Sequence, residues 1–196
     1  ELDLILSPES IYLSRGYSAQ RDCDWSDWDG YVAEMRAVTS RDEVAIEPAV
    51  AFMALLAPLS GRERSAVARH VARRVEGSVI PMPPPQRSSR AHIRVGILSP
   101  DLRDHVVGRL LVPLFELIDR SRFGLFAYSL AGDDGSPVRK RLRESASGVR
   151  DLESLSDALA AGEIRRDDID ILIDACGHMA RGRFGIAAHR PAGVLA

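Results

Sequence analysis

From residue 91 to the end of the chain, short apolar runs alternate with longer stretches of helical periodicity. The apolar runs are nearly continuous, as in strands that helices cover on both faces, and they span Ile93–Leu98, Phe123–Leu130, Val149–Leu152 and Ile169–Asp174. Helices are predicted over Val106–Ile118, after Ser136-Pro137, over Leu155–Ile164 and through Ala187. Strands that alternate with helices form parallel sheets with right-handed crossovers. The sequence therefore predicts an α/β fold with a Rossmann-like parallel sheet over residues 91–196.

A small helical segment is predicted over residues 23–80, before the sheet. Its first helix carries apolar residues at helical spacing, namely Trp28, Tyr31, Val32, Met35 and Val38. Two more helices are predicted, from Pro48 to Leu59 and from Gly61 to Val75. Residues 81–90 form a proline-rich linker, because proline removes hydrogen-bond donors and fixes φ.

Two single residues affect where the predicted helices begin or end. Residues 1–22 form an uncertain leader, in which a short helix over Glu9–Leu13 is expected to end at Gly16. Pro113 falls inside the first helix of the sheet region, so we expect either a kink there or a later helix start.

Charge and hydropathy exclude several classes of protein. The 196 residues carry a formal net charge of −2, which gives no reason to expect nucleic acid as a partner. No apolar run is long enough to cross a bilayer, and Leu2–Leu6 is too short for a signal peptide. Cys23 and Cys176 lie far apart and have no metal-binding spacing, so reduced thiols in a cytoplasmic protein are expected. Because the chain begins without Met, we interpret it as a piece of a longer protein.

The loop after the first predicted strand carries the strongest candidate site residues. Ligands of open α/β sheets bind beyond the carboxyl ends of the strands, and this loop presents Asp101 and His105 there. An imidazole can take or relay a proton from a hydroxyl nucleophile, but His105 can equally be a helix cap. Asp101 can likewise be a turn or cap residue. Arg109 either binds an anion or is an ordinary exposed arginine, and the loop lacks the G-x-G-x-x-G of a dinucleotide-binding turn.

A second loop, after the last predicted strand, contains His178 and Arg183. Because parallel strands end at one edge of the sheet, we expect these side chains to face the same cleft as His105 and to bind substrate. Asp174, at the end of the strand, can equally face this cleft or cap the loop. The basic helix face formed by Arg139, Lys140, Arg141 and Arg143 is interpreted as solvated.

Five segments in order give a resemblance to a known family: Cys23–Arg36, Arg94–Leu111, Arg122–Arg143, Asp168–His178 and Ala187–Val194. Together they resemble the O-linked N-acetylglucosamine transferase/SPINDLY family, in its bacterial branch. The resemblance implies that the chain holds bridging helices and the N-terminal lobe of a two-lobed GT-B glycosyltransferase. It also implies that a second lobe, outside this chain, holds most of the contacts to the nucleotide sugar.

By this resemblance, the reaction is an inverting transfer of a sugar to Ser or Thr of intracellular proteins, usually from UDP-GlcNAc. Plant SPINDLY members are similar enzymes that use GDP-fucose, so the donor stays open. His105 and Asp101 match the histidine and aspartate of the family's D-x-x-x-H loop. The resemblance thus implies that His105 positions the sugar or acceptor or relays a proton, with Asp101 secondary, and that no cofactor or metal takes part.

Two residues depart from the family pattern. Ala49 stands after Pro48 where animal-type members have a histidine, and Met179 replaces the threonine of a common Gly-His-Thr loop. The departure at Ala49 favours an alternative function, a degenerate lobe that acts as a protein-interaction scaffold. A stand-alone nucleotide-binding module is a third alternative, which the missing glycine motif disfavours.

Overall fold

The computed structural model describes residues 8–40, 48–85, 91–179 and 181–196, with all of their side chains except those of Ser10, Pro48 and Ala49. The chain forms two compact units. One contains Glu1–Gly77 together with His178–Ala180, and the other contains Ser78–Gly177 together with Arg181–Ala196.

The first unit is helical, with described helices α1 (Pro8–Arg21), α2 (Trp28–Ser40), α3 (Pro48–Leu56) and α4 (Gly61–Gly77). The apolar positions expected to face the core of α2 are buried, namely Tyr31, Val32, Met35 and Val38. The helical segment predicted before the sheet is therefore confirmed.

Gly16 does not end the first helix, which was a wrong prediction. Helix α1 continues through Gly16 to Arg21, and a Cβ atom at Gly16 would lie 2.5 Å from the Tyr31 ring. Glycine is needed here because α1 and α2 pack closely at this point. A glycine required by packing looks the same in a single sequence as one that ends a helix.

The second unit is a five-stranded parallel sheet with strand order β3-β2-β1-β4-β5. Its strands are β1 (Ile93–Ser99), β2 (Phe123–Ser129), β3 (Gly148–Asp151), β4 (Ile171–Asp174) and β5 (Val194–Leu195). Strand β1 is central, with β2 on one side and β4 on the other. The predicted Rossmann-like parallel sheet is confirmed.

The helices of this unit are α5 (Val106–Leu117), α6 (Pro137–Ser145), α7 (Asp157–Arg166) and α8 (Phe184–Ala188). On one face of the sheet, Phe115 of α5 and Leu142 of α6 pack with Ile97 of β1. A second cluster joins Ile164 of α7 and Ile186 of α8 to residues of the strands. Cover on both faces explains why the strands are nearly continuously apolar.

Three smaller expectations can be compared with the structure. Helix α5 begins at Val106 and runs through Pro113, so the later helix start was wrong. Both cysteines are free thiols, with Cys23 exposed and Cys176 buried. None of the helices within the described ranges is long and apolar enough to cross a lipid bilayer.

Candidate functional site

Three acidic loops meet the carboxyl edge of the sheet. Asp101 follows β1, Asp134 follows β2, and Asp174 is the last residue of β4. All strands are parallel, so their carboxyl ends lie along the edge where ligands of such folds bind. The candidate site is therefore built around the residues that leave β1.

Asp101 and His105 lie beside each other in the loop after β1. The Asp101 N–H donates to Ser99 Oγ at 3.1 Å, and Asp101 is only 5% exposed. Its Oδ2 lies 3.5 Å from His105 Nδ1, and its Oδ1 lies 3.8 Å from Arg103 Nη2. A buried carboxylate thus faces a half-exposed imidazole, as the D-x-x-x-H spacing suggested.

His105 is also the N-cap of α5. Its backbone is extended, and Val107 N–H donates to His105 Nδ1 at 3.3 Å. That bond requires an unprotonated Nδ1, whereas the Asp101 contact is attractive when Nδ1 carries a proton. The tautomer with its proton on Nε2 therefore caps the helix, and a ring with a proton on Nδ1 pairs with Asp101. Both contacts involve Nδ1, which leaves Nε2 as the ring nitrogen that a substrate would meet.

Gly108 lets this loop fold back on the first turn of α5. A Cβ atom at position 108 would lie 2.1 Å from the Arg103 carbonyl oxygen and 2.8 Å from that of Asp101. Both are backbone atoms and cannot rotate away as a side chain could. The position of the Asp101–His105 loop therefore depends on a glycine in the helix that follows it.

The loop after β2 also holds the Asp101–His105 loop in place. Asp134 Oδ2 accepts the Asp104 N–H at 2.9 Å, and its Oδ1 accepts the Ser136 N–H at 3.1 Å. These bonds stabilise the ionised carboxylate and lower the pKa of Asp134, with the bond from Asp104 the larger cause. The loop after β2 therefore supports the candidate site.

This pKa shift predicts how acid affects the variant Asp134→Asn. The pKa of Asp134 is lowered in the folded state, so its contribution to stability is present above the ordinary value of 3.8 and is lost as pH falls through the lower, folded value. We expect Asp134→Asn to be less stable than wild type at pH 6 and the gap to narrow towards pH 3. The other carboxylates titrate in both proteins, so urea unfolding at the two pH values isolates Asp134. A gap that stays constant contradicts this prediction.

Arg109 is paired within the protein. Its Nε donates to Asp104 Oδ1 at 2.8 Å on the exposed side of α5. This bond raises the pKa of the Arg109 guanidinium above its usual value. An exposed pair of this kind is weak enough for an anion to compete with it. A substrate-binding role for Arg109 stays a prediction.

Arg139 is the residue that the sequence analysis misjudged. Lys140, Arg141 and Arg143 are exposed, but Arg139 is 1% exposed, so a solvated face was the wrong interpretation at this position. Its Nη1 donates to the Leu102 carbonyl oxygen at 3.1 Å, and its Nη2 binds Asp151 at the end of β3. The signal that could have found it is its spacing of three residues from the buried Leu142, on the core-facing side of α6.

The loop after β4 lies close to the loop after β1. Asp174 Oδ1 accepts the N–H groups of Cys176 and Gly177, at 2.8 and 3.2 Å, so of its two alternatives Asp174 takes that of a loop cap. Burial, followed by the charges of Asp174 and Asp101, raises the pKa of the Cys176 thiol to about 11. The Ala175 N–H donates to the Leu98 carbonyl oxygen at 3.0 Å, so this loop begins beside the end of β1.

His178 follows Gly177, whose φ of 57° is left-handed, and is half-buried. It belongs with the residues of the first unit, so its approach to His105 stays a prediction. Met179 is exposed.

All three guanidinium nitrogens of Arg183 donate hydrogen bonds to other groups of the protein. Nε donates to Asp157 Oδ1 at 2.8 Å, Nη1 to the Leu152 carbonyl at 2.9 Å and Nη2 to the Leu155 carbonyl at 2.6 Å. It thereby ties the start of α8 to the segment between β3 and α7. Its predicted part in substrate binding is untested by these contacts and stays a prediction.

Comparison with known proteins identifies the family. The family model described as glycosyl transferase family 41 matches residues 22–196. The chain belongs to this family. The match covers the helical unit from residue 22 onwards, without α1, and the whole sheet, and it confirms the resemblance drawn from the five sequence segments.

Relatives and a solved structure support the assignment to family 41. A Caenorhabditis elegans protein named UDP-N-acetylglucosamine–peptide N-acetylglucosaminyltransferase is 29% identical over 88% of this chain and 16% of its own length. An Arabidopsis thaliana protein named as a probable SPINDLY enzyme of the same type is 30% identical over 52% of this chain and 12% of its own. The structure of a Thermobaculum terrenum O-GlcNAc transferase mutant, K341M, aligns with a TM-score of 0.63 and 27% identity, covering 93% of this chain and 33% of that one. The chain thus spans a third or less of these family 41 proteins.

The departure from the family pattern at Ala49 falls on α3, but the side chain of Ala49 lies outside the described residues.

Proposed function

We propose that this chain is the N-terminal catalytic region of a protein O-glycosyltransferase. The reaction is an inverting transfer of a sugar from a nucleotide sugar, UDP-GlcNAc, to Ser or Thr hydroxyls of proteins. The observation that carries the proposal is the buried Asp101 carboxylate 3.5 Å from the His105 imidazole at the carboxyl edge of the sheet. The names of the family 41 relatives support this donor and a peptide acceptor.

The geometry suggests how the pair serves transfer. In an inverting reaction the acceptor hydroxyl attacks the anomeric carbon, the bond to the diphosphate breaks, and the hydroxyl proton must be removed. We assign His105 to positioning the sugar or acceptor, or to relaying that proton through Nε2 in the tautomer whose Nδ1–H faces Asp101. Asp101 is secondary: its carboxylate faces Nδ1 and stabilises the imidazolium as it forms.

The leaving diphosphate needs positive charge or N–H donors as the bond breaks. Arg109, His178 and Arg183 are the residues of this chain that we assign to substrate binding. We assign most nucleotide contacts to a second lobe outside this chain. The proposal includes no metal and no cofactor besides the donor, no nucleic-acid partner, and a cytoplasmic location.

The test compares this chain with a longer protein that extends through the second lobe. Each is incubated with UDP-GlcNAc or GDP-fucose and an acceptor protein, and transferred sugar is measured by mass spectrometry. We expect transfer by the longer protein and none by the 196-residue chain. Activity in the short chain contradicts the two-lobe assignment, and a longer protein inactive with both donors contradicts the function.

A non-enzymatic scaffold is the second candidate, favoured by Ala49 in place of the histidine. Such a protein keeps the fold for binding partners and does not need His105. Substitution of His105 in the longer protein therefore separates the two functions.

A further inference from the structure

Arg139 is a buried arginine in a helix whose other basic residues are exposed. Burying a guanidinium is costly unless its donors find partners. The partners of Arg139 are the Leu102 carbonyl and the Asp151 carboxylate, and Asp133 Oδ1 lies 4.0 Å from its Nε. One side chain on α6 therefore connects the loop that follows β1 to the end of β3, and it lies within ion-pair distance of the loop that follows β2.

The contact with Leu102 is the important one, because Leu102 directly follows Asp101 and its own side chain is fully buried. Asp134, in the loop between β2 and α6, accepts the Asp104 N–H. The Asp101–His105 loop is thus fixed at two backbone positions, one on each side of Arg103.

A buried ion pair is weak evidence for stability, because apolar residues of similar size often stabilise as much. What an arginine adds is geometry: its planar fork holds a carbonyl and a carboxylate at once, in fixed directions. Lysine carries the same charge, but a single ammonium on a shorter side chain cannot reproduce this fork. The contacts of Arg139 therefore control where the loop lies.

We propose that Arg139 is a positioning residue of the transferase site, which holds the Asp101–His105 loop through the Leu102 carbonyl. This inference rests on the proposed function. Arg139 acts through the loop, so its loss displaces the Asp101–His105 pair and leaves the ionising groups unchanged. We expect kcat to fall while the KM for the nucleotide sugar and the shape of the pH profile stay the same.

The test uses Arg139→Lys in the longer protein that carries out transfer. The control is Arg150→Lys, because Arg150, whose side chain is 38% exposed, also pairs with a carboxylate, that of Asp167, which lies between α7 and β4, at the amino end of β4. We expect Arg139→Lys to lower kcat by about 10- to 100-fold, as a displacement of about 1 Å does, and Arg150→Lys to lower it by less than about twofold. Both are assayed well below their unfolding temperatures.

Each outcome of this test either supports or overturns the positioning role of Arg139. A kcat for Arg139→Lys within about twofold of wild type overturns the inference, as do equal losses in both variants or a rise in donor KM alone. If Arg139→Lys fails to fold, Asp151→Asn weakens the ion pair that orients the Arg139 guanidinium towards the Leu102 carbonyl, and it is expected to lower kcat in the same way; unchanged kcat there also overturns the inference. A wild-type protein without any transfer overturns the proposed function itself, which is a different result from an active wild type with an active Arg139→Lys.

Discussion

Replacing Gly108 by alanine is expected to lower the free energy of unfolding of this chain by about 3 kcal/mol, the upper range for a substitution that overpacks a well-packed region. The added Cβ atom would lie 2.1 Å from the Arg103 carbonyl oxygen and 2.8 Å from that of Asp101. Because both neighbours are backbone atoms, the loop or the first turn of α5 must shift. That shift also displaces His105, which caps the same helix.

The matched control is Gly162→Ala. Gly162 also lies inside a helix, α7, but a Cβ atom there meets no atom within 4 Å. Alanine favours a helix over glycine, so this variant is expected to gain up to about 1 kcal/mol. Urea unfolding of both variants measures the two effects. A Gly108→Ala protein as stable as wild type would show that the loop does not need its observed position.

The sequence carried enough information to predict the sheet. Strand runs such as Ile93–Leu98 are short, apolar and separated by helical segments, so class, strand direction and the edge carrying Asp101 followed from general rules. Ser136-Pro137 also marked the start of α6 correctly, since Ser136 accepts the Arg139 N–H. These features depend on residues near one another in the chain.

What the sequence did not reveal depends on distant neighbours. Glycine is required at position 16 because the Tyr31 ring lies against it, and the burial of Arg139 depends on the Leu102 carbonyl, 37 residues away. An arginine on a basic helix is normally solvated, and no local pattern showed that a carbonyl and a carboxylate would meet this one. The sequence likewise left His105 as either a helix cap or an acid–base residue. In the structure, the same ring nitrogen accepts the Val107 N–H and faces the Asp101 carboxylate.

Substitution of His105 is expected to have the largest effect on activity, and the structure shows how to separate chemistry from stability. His105→Ala removes both the imidazole and the acceptor for Val107 N–H, and loss of an N-cap costs about 1 kcal/mol. Asparagine is a good N-cap but does not titrate, so His105→Asn keeps the helix start and loses only the acid–base group.

In the longer protein, we therefore expect His105→Asn to keep wild-type stability to within about 0.5 kcal/mol and to lose about 100- to 10,000-fold in transfer rate, the usual contribution of a positioned acid–base group. His105→Ala should lose a similar factor in rate and be less stable. His92→Ala is the control, because His92 is exposed and precedes β1 at the amino end of the sheet. The measurements are initial rates of sugar transfer and urea unfolding. Full activity in His105→Asn would mean that the imidazole serves only as a cap, and the scaffold alternative predicts that binding of partner proteins is the same in all three variants.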